Sequence, residues 1–141
     1  GQTVAIIGST GSGKSTLINL IPRFYDVTKG CVKVDGVDVR KMTQHDLRDR
    51  LGYVPQKGVL FSGTIDSNIR YGNPDMSEAD VKLAAQIAQS DDFIEAKPEG
   101  YNAPISQGGT NVSGGQKQRL CIARAFSSTP KYSFSMTLPL Q

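Results

Sequence analysis

The run Gly8-Ser9-Thr10-Gly11-Ser12-Gly13-Lys14-Ser15-Thr16 fits the pattern Gly, four residues, Gly-Lys-Ser/Thr. These residue types at this spacing suit the wrapping of a phosphate chain. Glycines let the backbone approach an anion without Cβ clashes, and successive N–H groups then face it. Lys14 can reach the β- and γ-phosphates, and the Ser15 hydroxyl can ligate Mg²⁺. Two other places carry polar groups in telling positions. Gln56 follows the strand-like Leu51-Gly52-Tyr53-Val54-Pro55, where ligand-sensing groups gather in open α/β sheets. Ser113-Gly114-Gly115-Gln116 opens a helix-like run with Ser113 as N-cap, and a helix N-terminus is a ready-made anion site. A small-residue cap before an amphipathic helix is common, so the residues alone leave that second site open between a plain cap and a ligand contact.

These groups need elements to hold them. Thr3 to Ile7 is a continuous, largely β-branched run, which predicts a strand buried on both faces of a parallel sheet, feeding the glycine loop. A helix is expected from about Lys14 to near Pro22-Arg23. Cys31 to Val39 alternates apolar with polar and reads as two short strands turned at Asp35-Gly36. His45 to Leu51 reads as a short charged helix with an Asp46–Arg50 pair at i, i+4. The lone His45 is expected to be solvated, with no carboxylate beside it. Thr64 to Arg70 reads as a helix capped by Thr64. A second helix starts at Ser77, with Asp80 at the capping-box position and Val81, Ala84, Ala85 and Ala88 on one face, Leu83 and Ile87 beside it. Asp91 to Ala96 is a further short helix, and Pro98 to Gly109 a loop. After Ser113 the residues Leu120, Ile122, Ala123 and Ala125-Phe126 supply a buried face.

The totals exclude several classes. A chain of 141 residues, 38% hydrophobic and 21% charged, is one ordinary globular domain. Net charge is +3 with scattered lysines and arginines, which argues against a nucleic-acid surface. No apolar run is long enough to span a bilayer, and no signal peptide is expected. Residue 1 sits almost at the first strand, as in an excised fragment. Cys31 and Cys121 lie far apart without metal-ligand spacing and read as small apolar residues in a reducing compartment.

Taken together, the loop at Gly8 to Thr16, Gln56 after Tyr53-Val54-Pro55, and Ser113-Gly114-Gly115-Gln116 resemble the Walker A, Q-loop and signature motifs of ABC transporter nucleotide-binding domains, in that order. Gly58 to Ile69 and Gln107-Gly108-Gly109-Thr110-Asn111 resemble the exporter branch. The resemblance runs from residue 1 to about Lys131. It implies an α/β P-loop NTPase with a RecA-like parallel sheet core, a small antiparallel β flap and a helical subdomain, incomplete at the C-terminus. Residues 1–56 would be core, 57–118 the helical subdomain with the signature, 119–131 a return to core, and 132–141 an anomalous tail. Gly8 to Thr16 would bind ATP, with Ser15 on Mg²⁺. Gln56 would sense metal and attacking water and couple to the transmembrane part. Ser113, Gly114, Gly115 and Gln116 would meet the γ-phosphate of ATP on a second, head-to-tail domain. The implied parent is an exporter whose ATP hydrolysis drives transport at the cytoplasmic face of a membrane. A GTPase would show Asn-Lys-x-Asp, which this chain lacks. A DNA-repair ATPase with the same signature would carry a coiled coil between Thr16 and Ser113, and no heptads occur there.

The tail departs from the family's pattern. After Pro130-Lys131 that pattern continues with about four apolar residues, Asp, and a catalytic carboxylate. Here it reads Tyr132-Ser133-Phe134-Ser135-Met136-Thr137-Leu138-Pro139-Leu140-Gln141, with no carboxylate. The family's switch histidine and its adenine-stacking aromatic upstream of residue 1 are absent as well. Codon degeneracy permits a shifted reading of this stretch as Ile-Leu-Ile-Phe-Asp-Asp, so a one-base shift near Lys131 is the expected origin, with a genuinely divergent or engineered tail as the alternative. Tyr132, Phe134 and Met136 alternate with serines and could still form a strand. Without later strands, residues 3–7 and 120–126 are expected to lack cover, giving low stability and aggregation.

Overall fold

The structure, a computed structural model, describes residues 2–127 and 130–136; the expectations placed on 137–141 lie outside the described residues. The chain divides into two compact units, residues 1–51 and 52–141.

In the first unit the glycine loop leads into α1 (Lys14–Asn19). β1 (Lys33–Val34) and β2 (Val37–Asp38) pair antiparallel, Lys33 opposite Asp38. Asp35 and Gly36 between them both have positive φ, 52° and 78°, as the expected Asp-Gly hairpin turn requires. Thr43 caps α2 (Gln44–Arg48), its hydroxyl accepting from the Asp46 amide at 3.1 Å and donating to the Asp46 carboxylate at 2.6 Å. That geometry uses Asp46 locally, so the expected Asp46–Arg50 pair does not form. Arg50 instead meets Asp35 at 2.8 Å. His45 is exposed as expected but has a carboxylate partner, Asp49 one turn on at 2.9 Å. The expected strand over Thr3–Ile7 is not formed. Val4 is 83% and Ile7 91% exposed. A strand buried on both faces needs neighbours on both sides, and among the described residues none pairs with this run.

The second unit holds the main core. β3 (Leu51–Val54) ends before Pro55 and pairs with β6 (Tyr132–Ser135); the Met136 amide donates to Val54 O at 3.1 Å. The tail therefore does form the strand its alternation allows, with Phe134 and Met136 half-buried and Tyr132, Ser133 and Ser135 exposed. β4 (Gly63–Thr64) pairs antiparallel with β5 (Pro104–Ile105), which lies inside the stretch expected to be loop. Thr64 caps α3 (Ile65–Ile69) through a capping box with Ser67. Ser77 caps α4 (Glu78–Ile87), but the Asp80 carboxylate bonds the Ser77 hydroxyl at 2.6 Å. α5 (Asp91–Glu95) follows, and α6 (Gly114–Phe126) closes the unit.

Val81, Ala84, Ala85 and Ala88 are buried, whereas Leu83 and Ile87 are half-exposed on the flank of α4. The four buried residues join Ile65, Ile69, Ile94, Leu120 and Ala123 in one hydrophobic cluster. Each large aliphatic side chain so buried contributes about 1.5–3 kcal/mol. The small residues of α4 let it approach α6 closely, and α3 packs on α6 as well. Residues 120–126 are therefore covered, contrary to expectation: Leu120 and Ala123 are fully buried. α3 and α4 supply the cover that was expected only from later strands.

Candidate phosphate-binding site

The glycine loop has three backbone requirements. Gly11 and Gly13 sit at φ 83° and 86°, where a Cβ is strained. A Cβ on Gly8 would lie 2.8 Å from Ser12 Oγ. The loop turns on the Ser12 amide, which donates to Ser9 O at 3.2 Å. Lys14 then folds back over it. Its ammonium donates to Gly8 O at 2.5 Å, Ser9 O at 2.7 Å and Ser12 Oγ at 3.1 Å. No side chain caps α1 at Gly13, so no hydroxyl or carboxylate competes for the first amides of the helix. Ser15 and Thr16 are exposed, and neither hydroxyl is bonded among the described residues. The result is a glycine loop with a cation folded over it and an unbonded hydroxyl beside it, and among the described residues no acidic group is bonded to the Lys14 ammonium. Such a surface suits an anion with an accompanying hard metal ion.

The residues expected to act with this loop lie in the second unit. Gln56 is exposed at a bend after β3, its amide unbonded among the described residues. Ser113 Oγ accepts from the Gln116 amide at 3.2 Å, and Gln116 Oε1 accepts from the Ser113 amide at 3.1 Å. Ser113 thus acts as a plain cap, yet its O–H is still available as a donor. Gly114 and Gly115 are exposed, have no positive φ, and a Cβ on either would meet nothing within 4 Å. Two glycines at the head of a helix each cost about 1 kcal/mol relative to alanine. Among the described residues nothing requires a glycine at either position.

Sequence reasoning missed the clamp behind Ser113. Asn111 Oδ1 accepts from Ser106 N and Oγ, each at 3.0 Å, and its Nδ2 donates to Pro104 O at 2.8 Å. Ser106 Oγ also lies 2.7 Å from Thr110 Oγ1. An asparagine in a glycine-rich loop was the available signal, but its partners sit five and seven residues away across a turn that spacing does not reveal.

Loop, helix and cap define a P-loop NTPase fold, and comparison with known proteins narrows the class. The ABC transporter family model matches residues 1–134, and the chain belongs to that family. Among its relatives, heavy metal tolerance factor 1 of Caenorhabditis elegans is 48% identical over 95% of this chain and 17% of its own length. ATP-binding cassette sub-family B member 6 of Mus musculus is 47% identical over 92% of this chain and 15% of its own. A multidrug efflux ATP-binding/permease protein of Mycobacterium bovis (strain BCG / Pasteur 1173P2) is 46% identical over 93% and 11%. A solved structure of a bacterial Atm1-family ABC exporter with ATP bound superposes with a TM-score of 0.85 at 44% identity, covering 89% of this chain and 22% of that one. The chain corresponds to the ATP-binding domain of exporter-type proteins and spans 11–17% of the length of these three relatives.

Proposed function

We propose that this chain binds Mg-ATP through Gly8 to Thr16 as half of a two-domain site within a membrane exporter. The observation that carries the reading is the Lys14 ammonium held over Gly8, Ser9 and Ser12 beside an uncapped helix start. Lys14 would exchange some of its loop bonds for phosphate oxygens, and Ser15 would reach the metal, with Gln56 sensing metal and water. The unneeded glycines Gly114 and Gly115 support a contact between the head of α6 and the nucleotide of a second, head-to-tail domain. Transmembrane helices would come from elsewhere, since no helix among the described residues is long and apolar enough to cross a membrane. Association through a shared nucleotide would be stabilised by ATP and released on hydrolysis. Equilibrium binding of Mg-ATP tests the site. Lys14→Ala should lose at least tenfold in affinity, because a hydrogen bond to a charged group contributes about 1.5–3 kcal/mol. Equal binding by both chains would sink the proposal.

A second reading is favoured by one observation: residues 132–141 contain no Asp or Glu. On this reading the chain holds nucleotide without turning it over, and the tail is an out-of-frame Walker B segment. Lys14-dependent hydrolysis by residues 1–141 at a rate near that of an intact relative's domain would refute the first part. A gene in which no single-base shift near codon 131 restores an apolar run ending in two acids would refute the second.

A further inference from the structure

The segment after Gln56 is held residue by residue. Gly58 lies against α6 so closely that a Cβ would meet Cys121 Sγ at 2.6 Å. Val59 O accepts from Arg124 Nη1 at 2.8 Å. Leu60 O accepts from the Gly108 amide at 3.1 Å. Phe61 exchanges two bonds with the buried Asn68 side chain, its amide donating to Oδ1 at 2.9 Å and its carbonyl accepting from Nδ2 at 2.8 Å.

Arg124, near the end of α6, joins two of these anchors. Besides Val59 O, its Nε donates to Asn68 O at 2.9 Å and its Nη2 to Asn68 Oδ1 at 2.7 Å. The guanidinium lies 5.0 Å from the ring centre of Phe61 and 5.4 Å from that of Tyr71, and those rings stack at 4.3 Å. Among the described residues no carboxylate pairs with it. A partly desolvated cation without a counterion is expensive to keep as a mere packing element. Its planar fork, however, serves three acceptors in fixed directions while its charge lies near two aromatic rings. A lysine ammonium, a point charge on a flexible stem, cannot reproduce that.

We propose that Arg124 is a positioning residue that ties the segment following Gln56 to the helix headed by Ser113, so that these two elements shift as one body. What the linked elements serve rests on the function proposed above; the tether itself does not. The experiment uses the full chain with Cys31→Ser, spin-labelled at Gln56→Cys and Ser113→Cys. A control pair is labelled at Lys82→Cys and Ser113→Cys, and Cys121 stays in place because it is buried. Pulsed dipolar spectroscopy then compares distance distributions with Arg124, Arg124→Lys and Arg124→Met. The expected result is a 56/113 distribution at least twice as broad in both variants, with the 82/113 distribution unchanged. Broadening of both pairs would make Arg124 an ordinary core residue, and any other pattern equally overturns the tether. No nucleotide is added. A chain that failed to bind Mg-ATP would thus remove the proposed function while the widths still decided the role of Arg124.

Discussion

Ser113 and Gln116 bond each other reciprocally at the head of α6, hydroxyl to amide at 3.2 Å and amide to side-chain oxygen at 3.1 Å. The cap and the proposed ligand contact therefore use different capacities of one hydroxyl, its lone pair and its proton, and substitution can separate them. Ser113→Ala should cost about 1 kcal/mol in urea unfolding. Ser113→Asp keeps an acceptor for the Gln116 amide and complements the helix dipole, so it should unfold within about 0.5 kcal/mol of the parent. It loses the proton and adds a negative charge, so Mg-ATP-dependent self-association in the ultracentrifuge should disappear. Association of Ser113→Asp equal to that of the parent would remove Ser113 from the shared site.

The contact between Gly58 and Cys121 makes a packing prediction. Gly58→Ala should destabilise by about 1–3 kcal/mol through overpacking, because the added Cβ has Cys121 Sγ at 2.6 Å in its way. Cys121→Ala removes the obstruction, so the double variant should be more stable than the sum of the singles predicts, by more than about 0.5 kcal/mol. Strict additivity in denaturant titrations would show that the segment moves aside freely.

Asp38 makes a pH prediction in the hairpin. The side chain and amide of Arg40 hold its carboxyl down to about 2. A depressed folded value means the favourable interaction is complete above the ordinary carboxylate value, near 4. It is lost as pH falls from there towards 2. Carbon-detected NMR titration should show the low midpoint, and Arg40→Gln should return it towards about 4. An Asp38 that titrates normally in the parent chain would place the guanidinium elsewhere in solution.

Ile7 tests the run that precedes the loop. At 91% exposure, Ile7→Lys should change unfolding free energy by no more than about 0.5 kcal/mol. Removing an apolar residue from an uncharged β-branched run should also raise the concentration at which the chain aggregates. A loss above about 1 kcal/mol would mean that residues 3–7 are buried in solution.

How far the sequence could be read depended on the distance over which each residue's partner lies. The caps at Thr64, Ser77 and Ser113, the turn at Asp35-Gly36 and the buried face of α4 were legible because their partners are within one turn. The loop Gly8 to Thr16 was legible because positive φ at Gly11 and Gly13 is a demand that residue type answers directly. Asn111 and Arg124 were not, since Arg124 bonds residues 56 and 65 positions away. Asp46 and Arg50 misled for the opposite reason: the local spacing was right, but Thr43 and Asp35 offered better-placed partners.

Thr3–Ile7 and Leu120–Phe126 mark the same boundary from either side. Both runs are apolar enough to require cover, and that requirement is a property of their composition alone. Whether cover exists is a property of neighbours: α6 finds α3 and the small-residue face of α4, while Val4 and Ile7 find nothing among the described residues. The sequence by itself determined the glycine loop, the helix starts and the family, because these rest on residue type at short spacing. Only the tertiary structure decided which apolar surfaces are buried, that the tail pairs with β3, and that the half-buried Arg124 of the helix headed by Ser113 bonds the segment after Gln56. Burial and multi-partner hydrogen bonding depend on chain segments far apart in sequence.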